Sequence, residues 1–169
     1  MTGTPVVSNA GPLMALAKLN LLHLLKLLYG RVRFTPAVYS ETVCEGVRQG
    51  YPDAHSLRLF LRQEAWTAEA IPRIPRDLAS LPLDRGETES IALAVTVNGL
   101  LLIDEERGRA AARGRGIPVR GTLGILIEAY DRRFLTAEQL RFHFAQIESA
   151  TDIWISPALC RRVLEKVLG

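Results

Sequence analysis

The chain has 169 residues, 48% of them hydrophobic and 23% charged, with a formal net charge of +3. That balance excludes a disordered chain and supplies enough apolar surface for one core without metal or disulfide staples. No apolar run is long enough to span a membrane, because Lys18, Asn20, His23 and Lys26 interrupt the stretch from Leu13 to Leu28; no secretory leader is expected, and a cytoplasmic location is.

Pro5 to Asn9 is a short β-branched segment running into Ala10-Gly11-Pro12, a turn signal, so a strand should place Ser8 and Asn9 at its carboxyl end. Pro12 suits the first turn of a helix, where its missing N–H would be unpaired anyway, and Asn9 is a candidate cap. Leu13, Leu16, Ala17, Leu19 and Leu22 recur at helical spacing, and a second short helix over 21–28 ends at Gly30. Val32 to Phe34 reads as a second strand. Thr35-Pro36 opens a helix carrying Val38, Val43 and Val47, on which Glu41 and Glu45 stand four residues apart and share a face. Two like charges at that spacing mildly destabilise a helix, and a solvated acidic face explains them as well as a functional pair does.

A helix is expected over 54–63, a short strand or edge over 65–68, and a loop over 71–83, which contains Pro72, Pro75 and Pro82. Asp84 can then cap a helix, with Glu87 three residues on as in a capping box, and Ile91, Ala92, Ala94 and Val95 continue it. After the Asn98-Gly99 turn, four large aliphatics from Leu100 to Ile103 suit a strand covered on both faces, and the run ends abruptly in Asp104, Glu105 and Glu106. In open α/β sheets the ligand crevice lies beyond the carboxyl ends of the strands, so these acids occupy the position where charge serves chemistry. For Asp104 the plainer role is a cap for the helix that follows, Glu105 to Arg113. A strand over 117–119 comes next, giving a strand–helix–strand crossover and hence a parallel sheet. Gly121-Thr122-Leu123-Gly124 opens a helix through Tyr130, and amphipathic helices over 136–144 and 157–168 complete the chain.

Collected by position at strand ends and helix starts, the candidate site residues are Asn9, Glu41, Glu87 or Glu89, Asp104 and Glu105. Mg²⁺ and Mn²⁺ take oxygen ligands and keep several waters, so carboxylates from separate elements suffice to hold one, orient a water and neutralise a phosphodiester. Arg107, Arg109, Arg113, Arg115 and Arg120 follow these acids directly and could hold phosphates, although a solvated Arg-rich helix explains them equally. The 18 Arg against 3 Lys are compatible with phosphate recognition, since the guanidinium fork matches phosphate oxygens. His23, His55 and His143 are isolated, and Cys44 and Cys160 lack metal-ligand spacing. Two buried reduced thiols are the simplest expectation for the cysteines, with a disulfide left open.

The opening Val-Val-Ser-Asn-Ala-Gly-Pro-Leu, the helix start Gly86-Glu87-Thr88-Glu89-Ser90-Ile91-Ala92-Leu93-Ala94, the Leu-Leu-Ile-Asp-Glu strand end and Gly121-Thr122-Leu123-Gly124 together resemble the PIN-like domains. The likeness is to a prokaryotic branch catalogued as a domain of unknown function. It covers about Pro5 to Tyr130 in order, and Ile155-Ser156-Pro157 also looks typical of the branch. The resemblance implies an α/β fold with a parallel sheet flanked by helices on both faces: one PIN-like domain over 1–169, with a core over 1–131 and a helical C-terminal extension over 132–169.

It implies also a Mg²⁺- or Mn²⁺-dependent ribonuclease acting on an RNA substrate, often the toxin of a toxin–antitoxin pair, inhibited by a small antitoxin protein. A homodimer is expected; leucines between Leu13 and Leu28, or the C-terminal helices with Leu140, Phe144, Ile147 and Leu164, could include a self-association or antitoxin surface, although core packing explains most of them equally. Carried over by position, Asn9 stands where the family has its first aspartate, Glu41 at the acid of the following helix, Glu87 at the acid opening the later helix and Asp104 at the strand-end aspartate. Glu105 stands where the branch often has a second aspartate, and Glu89 is the alternative to Glu87. Asparagine offers a carbonyl oxygen but no charge, so the alternative reading is a catalytically weak nucleic-acid-binding or regulatory module.

Overall fold

Alternation along three short strands sets the architecture. In the computed structural model, which describes residues 3–71 and 73–169, β1 (Val6–Ser8), β2 (Leu100–Leu102) and β3 (Val119–Arg120) lie parallel in the order β1-β2-β3. Val6 pairs with Leu100, Val7 with Leu101, Ser8 with Leu102, and Leu101 with Val119. Successive side chains point to opposite faces, so Val6 and Leu102 enter one apolar cluster while Val7, Leu101 and Ile103 enter the other. A sheet apolar on both faces needs helices on both, and the chain supplies them.

The first face is covered by α1 (Ala10–Lys18), α2 (His23–Tyr29), α5 (Pro52–Glu64), α9 (Thr122–Asp131), α10 (Ala137–Ser149) and α11 (Pro157–Leu168). The second is covered by the short α6 (Arg76–Ala79), α7 (Arg85–Val97) and α8 (Glu106–Gly114). Between α2 and α5 one helical stretch changes pitch: α3 (Pro36–Tyr39) passes through a π-helical turn, Ser40–Cys44, into α4 (Glu45–Arg48). Such wider turns recur at functional sites, and this one carries Glu41. Among the described residues no helix is long and apolar enough to cross a membrane.

Several expectations need correction. The strand at 32–34 reduces to a single bridge, Arg33 to Val7 on the outer edge of β1, held by Arg33 N–H to Val6 O (2.8 Å) and Ser8 N–H to Arg33 O (2.9 Å). The third strand begins later than 117, because the Ile117 N–H is taken by Ala112 O at the exit of α8. No strand forms over 65–68: Ala65 ends α5 at φ 57, and the Trp66 N–H returns to Leu61 O. The 71–83 segment contains α6, and Pro72 lies outside the described residues.

Both cysteines are free, but Cys44 is exposed; only Cys160 is the buried thiol expected of both. The leucines proposed for self-association are mostly core, with Leu13, Leu16, Leu24 and Leu25 at 0–2% exposure. Leu140, Phe144 and Ile147 are buried likewise, leaving Leu27, Phe142 and Leu159 as the large apolar side chains exposed on these helices among the described residues.

Candidate active site

Asn9 follows β1 directly and Asp104 lies just beyond β2, so parallel pairing of the two strands brings both to one end of the sheet. The helix starting at Arg85 adds Asp84 and Glu87, and the π-helical turn adds Glu41. All five line one cleft of about 470 Å³, together with Glu105. Gly86 permits their approach: a Cβ there would stand 2.9 Å from Glu41 Oε1 and 3.5 Å from both Asn9 Oδ1 and Asp84 Oδ1. Gly121 does the same for Asp104, whose Oδ1 would lie 2.8 Å from a Cβ at that position. A side chain at either glycine would displace a carboxylate.

Each acid is held differently. Asp104 does not cap the helix that follows it; its Oδ1 accepts the Thr122 N–H at 2.7 Å and its Oδ2 the Thr122 hydroxyl at 2.7 Å. The carboxylate thus sits at the start of α9, where backbone N–H groups and the helix dipole favour negative charge. Burial nevertheless pushes its pKa up, outweighing the two bonds from Thr122 and the charge of Arg109.

Asp84 does cap its helix, with Oδ1 accepting the Glu87 N–H at 2.7 Å, but the reciprocal half of the capping box is missing. Glu87 is 1% exposed and turns its carboxylate to Arg107 instead, with N–H···O distances of 3.2 to 3.4 Å. Its pKa is raised, mainly by burial, with Arg107 pulling the other way and Asp84 adding to the rise. Glu41 is raised by burial and then by the charges of Asp84 and Glu87. Among the described residues no cation pairs with it.

Asn9 is the N-cap residue of α1 but makes no side-chain capping bond; its Oδ1 accepts the Ser90 hydroxyl at 3.3 Å, and its backbone N–H donates to Leu102 O at 2.9 Å. Glu89, the alternative to Glu87, is kept out of the cleft by structural duties: it accepts the Ala37 N–H at 3.2 Å and the Arg85 Nε–H at 3.0 Å. Glu45 is drawn outward to Arg48 and Gln49. Of the five arginines, Arg107 alone lines this cleft. Arg109 and Arg120 line an adjoining cavity, Arg113 pairs with Glu106 on the surface, and Arg115 pairs with Asp77.

Four charged or aromatic cleft residues are not evident from residue order: Asp84, whose cap role hid a second use, and Lys18, Asp152 and Trp154, which only the fold brings to the cleft. The cleft lining holds seven carboxylates, from Glu41, Asp84, Glu87, Asp104, Glu105, Glu106 and Asp152, against the two cations Lys18 and Arg107. Among the described residues no three acid, histidine or cysteine side chains are close enough to grip an ion as they stand. The donor chemistry nonetheless fits a hard divalent ion that keeps its waters: every candidate donor is oxygen, and Glu41 has acids rather than a cation beside it.

Comparison with known sequences bears on the family of the chain. An aligned stretch of 122 residues, 69% of the chain, is 27% identical to fumosorinone synthetase of Cordyceps fumosorosea (strain ARSEF 2679) and spans 3% of that protein's length. The DUF3368 family model, described as a PIN domain, matches residues 5–168. With nearly its whole length matched, and with acids gathered at the carboxyl ends of a small parallel sheet, the chain belongs to this PIN domain family.

Proposed function

We propose that the protein is an endoribonuclease of the PIN type, hydrolysing RNA phosphodiester bonds with Mg²⁺ or Mn²⁺. The observation that carries the reading is the convergence of Glu41, Glu87 and Asp104 with Asn9 in a cleft where carboxylates outnumber cations seven to two. A phosphodiester is repelled from such a cleft unless a cation enters with it. Glu41, Glu87, Asp104 and the Asn9 carbonyl would hold that ion, with Glu105 assisting. When bound, the ion would supply Lewis acidity and an acidified water.

The chain's own residues would do the rest. Glu41, with no cation of the described residues beside it, would help orient the attacking water through a carboxylate oxygen. Asp104 would keep its orientation through Thr122, and Asn9 through Ser90. The half-exposed guanidinium of Arg107 would meet the phosphate oxygens. The direct test is incubation of a mixed single-stranded and structured RNA pool with Mg²⁺, Mn²⁺ or EDTA. Cuts that need metal and vanish in Asp104→Asn are expected; a fully active Asp104→Asn protein would sink the reading.

The proposal extends to a toxin role in the cytoplasm, with a small antitoxin protein as inhibitor and a homodimer as the working form. Exposed Leu27 and Phe142 are candidate contacts for either partner. A second reading, a weakly catalytic RNA-binding module, is favoured by two features: the uncharged Asn9 and the Arg107 guanidinium already on Glu87. Salt-sensitive RNA binding without cleavage in Mn²⁺ would select it.

A further inference from the structure

Trp154 is 89% exposed, the most exposed of the chain's large apolar side chains among the described residues. Its exposure is built rather than incidental. The Ile155 N–H donates to Ile153 O at 3.0 Å, a tight turn with Trp154 at its apex. Ile153 is buried on one side of that apex and Ile155 packs against the same core on the other. Lys18 Nζ donates to Asp152 O at 2.6 Å and ties the segment to α1. A rigid base therefore holds an indole out in water, where an aromatic of this size gains nothing from burial.

The indole stands on the ridge between two concavities. One is the acidic cleft; the other is a cavity of about 560 Å³ walled by Leu123, Ile127, Leu159 and Val163. Asp104 and Trp154 line both. Arg109 and Arg120 lie in the second cavity, and each already has a partner: Arg109 donates to Ile103 O, Arg120 to Glu128 and Tyr29. The second cavity thus combines apolar walls, two fixed guanidinium groups, the Asp104 and Glu106 carboxylates on the side it shares with the cleft, and an aromatic edge, and its volume falls in the range of about 300–1,000 Å³ seen for small-molecule sites.

We infer that Trp154 is a stacking platform for an unpaired nucleobase next to the phosphate being cut, with the neighbouring cavity taking the following nucleotide. The inference rests on the ribonuclease reading and deepens it. Three features favour a base over an apolar peptide: the cavity adjoins the acidic cleft, sharing Asp104, Glu106, Trp154 and Ile155 with it, it is edged by two arginines, and the indole is exposed between the two rather than buried in the apolar wall. A base has two π-faces and needs one surface, and stacking on tryptophan accepts any of the four bases. A duplex hides its bases and could not use the site.

The experiment exploits the chain's two tryptophans, of which Trp66 is buried at 7% exposure, so external quenching reports on Trp154. Short fluorescein-labelled oligoadenylate, single-stranded or annealed to oligouridylate, is titrated in Ca²⁺, with tryptophan emission and label anisotropy both recorded. The native protein should show quenching by the single strand and little by the duplex. Trp154→Ala should bind the single strand about ten-fold more weakly or worse, and Trp154→Phe should recover most of the loss. Equal anisotropy curves for native and Trp154→Ala, without quenching, would overturn the platform while leaving the nuclease reading standing. Absence of RNA binding by every variant would overturn both. A change in emission with protein concentration alone would place the indole in a contact between copies and overturn the platform.

Discussion

Glu41 and Glu45 lie four residues apart on one helical stretch and meet opposite fates. Glu45 pairs with Arg48, which holds its carboxyl below the usual range; Glu41 is pushed above it, first by burial and then by the charges of Asp84 and Glu87. Asp77 repeats the first pattern with Arg115, and Asp104 the second by burial. The surface acids are satisfied where they stand and hold no unspent electrostatic energy. The cleft acids are held together at a cost in folding free energy, and a cation is what would relieve it. Clustered acids that lower stability are expected at a site whose function needs them.

The sharpest way to break this contrast is at its centre. Asp104→Asn should lower metal-dependent cleavage by at least about 10²-fold, the scale of losing a group that acts on the transition state. Its melting temperature in EDTA should stay equal or rise, since the amide can keep both partners on Thr122 and one buried charge is gone. Glu41→Gln should follow it, with cleavage down by about 10-fold or more, while Glu45→Gln should change cleavage by less than about two-fold.

Addition of Mn²⁺ should raise the melting temperature of the native protein, by the equivalent of about 2.7 kcal/mol at one hundred times the dissociation constant. In Asp104→Asn that rise should shrink. Asn9→Asp should tighten Mn²⁺ binding several-fold in a calorimetric titration and lower the apoprotein's melting temperature, because it adds a ligand charge to an acidic cleft. A looser Asn9→Asp protein would mean that Asn9 lies outside the ion's shell.

The smallest effect is on pH. Glu41, Glu87 and Asp104 have folded pKa values above their unfolded ones, so the folded state binds more protons across that interval. Their contribution to apoprotein stability is therefore fullest below the unfolded values near 4 and is lost as the pH rises through the raised folded values. Glu45 and Asp77, with lowered values, act in the opposite direction and lose their contribution as the pH falls. Native and Glu41→Gln melting curves between pH 4 and pH 7 should converge at the acid end, a comparison that isolates the cleft residue; curves that stay parallel would contradict it.

Much of this was legible in residue order. The Leu100–Ile103 run ending in Asp104 announced a buried parallel strand with an acid at its carboxyl end, because aliphatic continuity and strand polarity are local properties. The helix opened by Asp84 was legible for the same reason. What a linear reading could not supply was the destination of each carboxylate. Glu87 and Glu89 are two positions apart on α7, yet one points at Arg107, twenty residues on, and the other at the Ala37 N–H, fifty-two residues back. Asp104 was a plausible cap for α8 and instead binds the start of α9, a choice made by the pairing of β2 with β3. Nothing local in the segment between α10 and α11 marks Trp154; only the fold sets it between two cavities.

The measurement that reaches the central claim most directly is calorimetric titration of Mn²⁺ into native protein, Glu41→Gln and Glu45→Gln under identical conditions. Saturable binding in the native protein and in Glu45→Gln, lost or sharply weakened in Glu41→Gln, is the predicted result. Equal binding by all three proteins, or none by any of them, would contradict the assignment of the cleft acids to a cation.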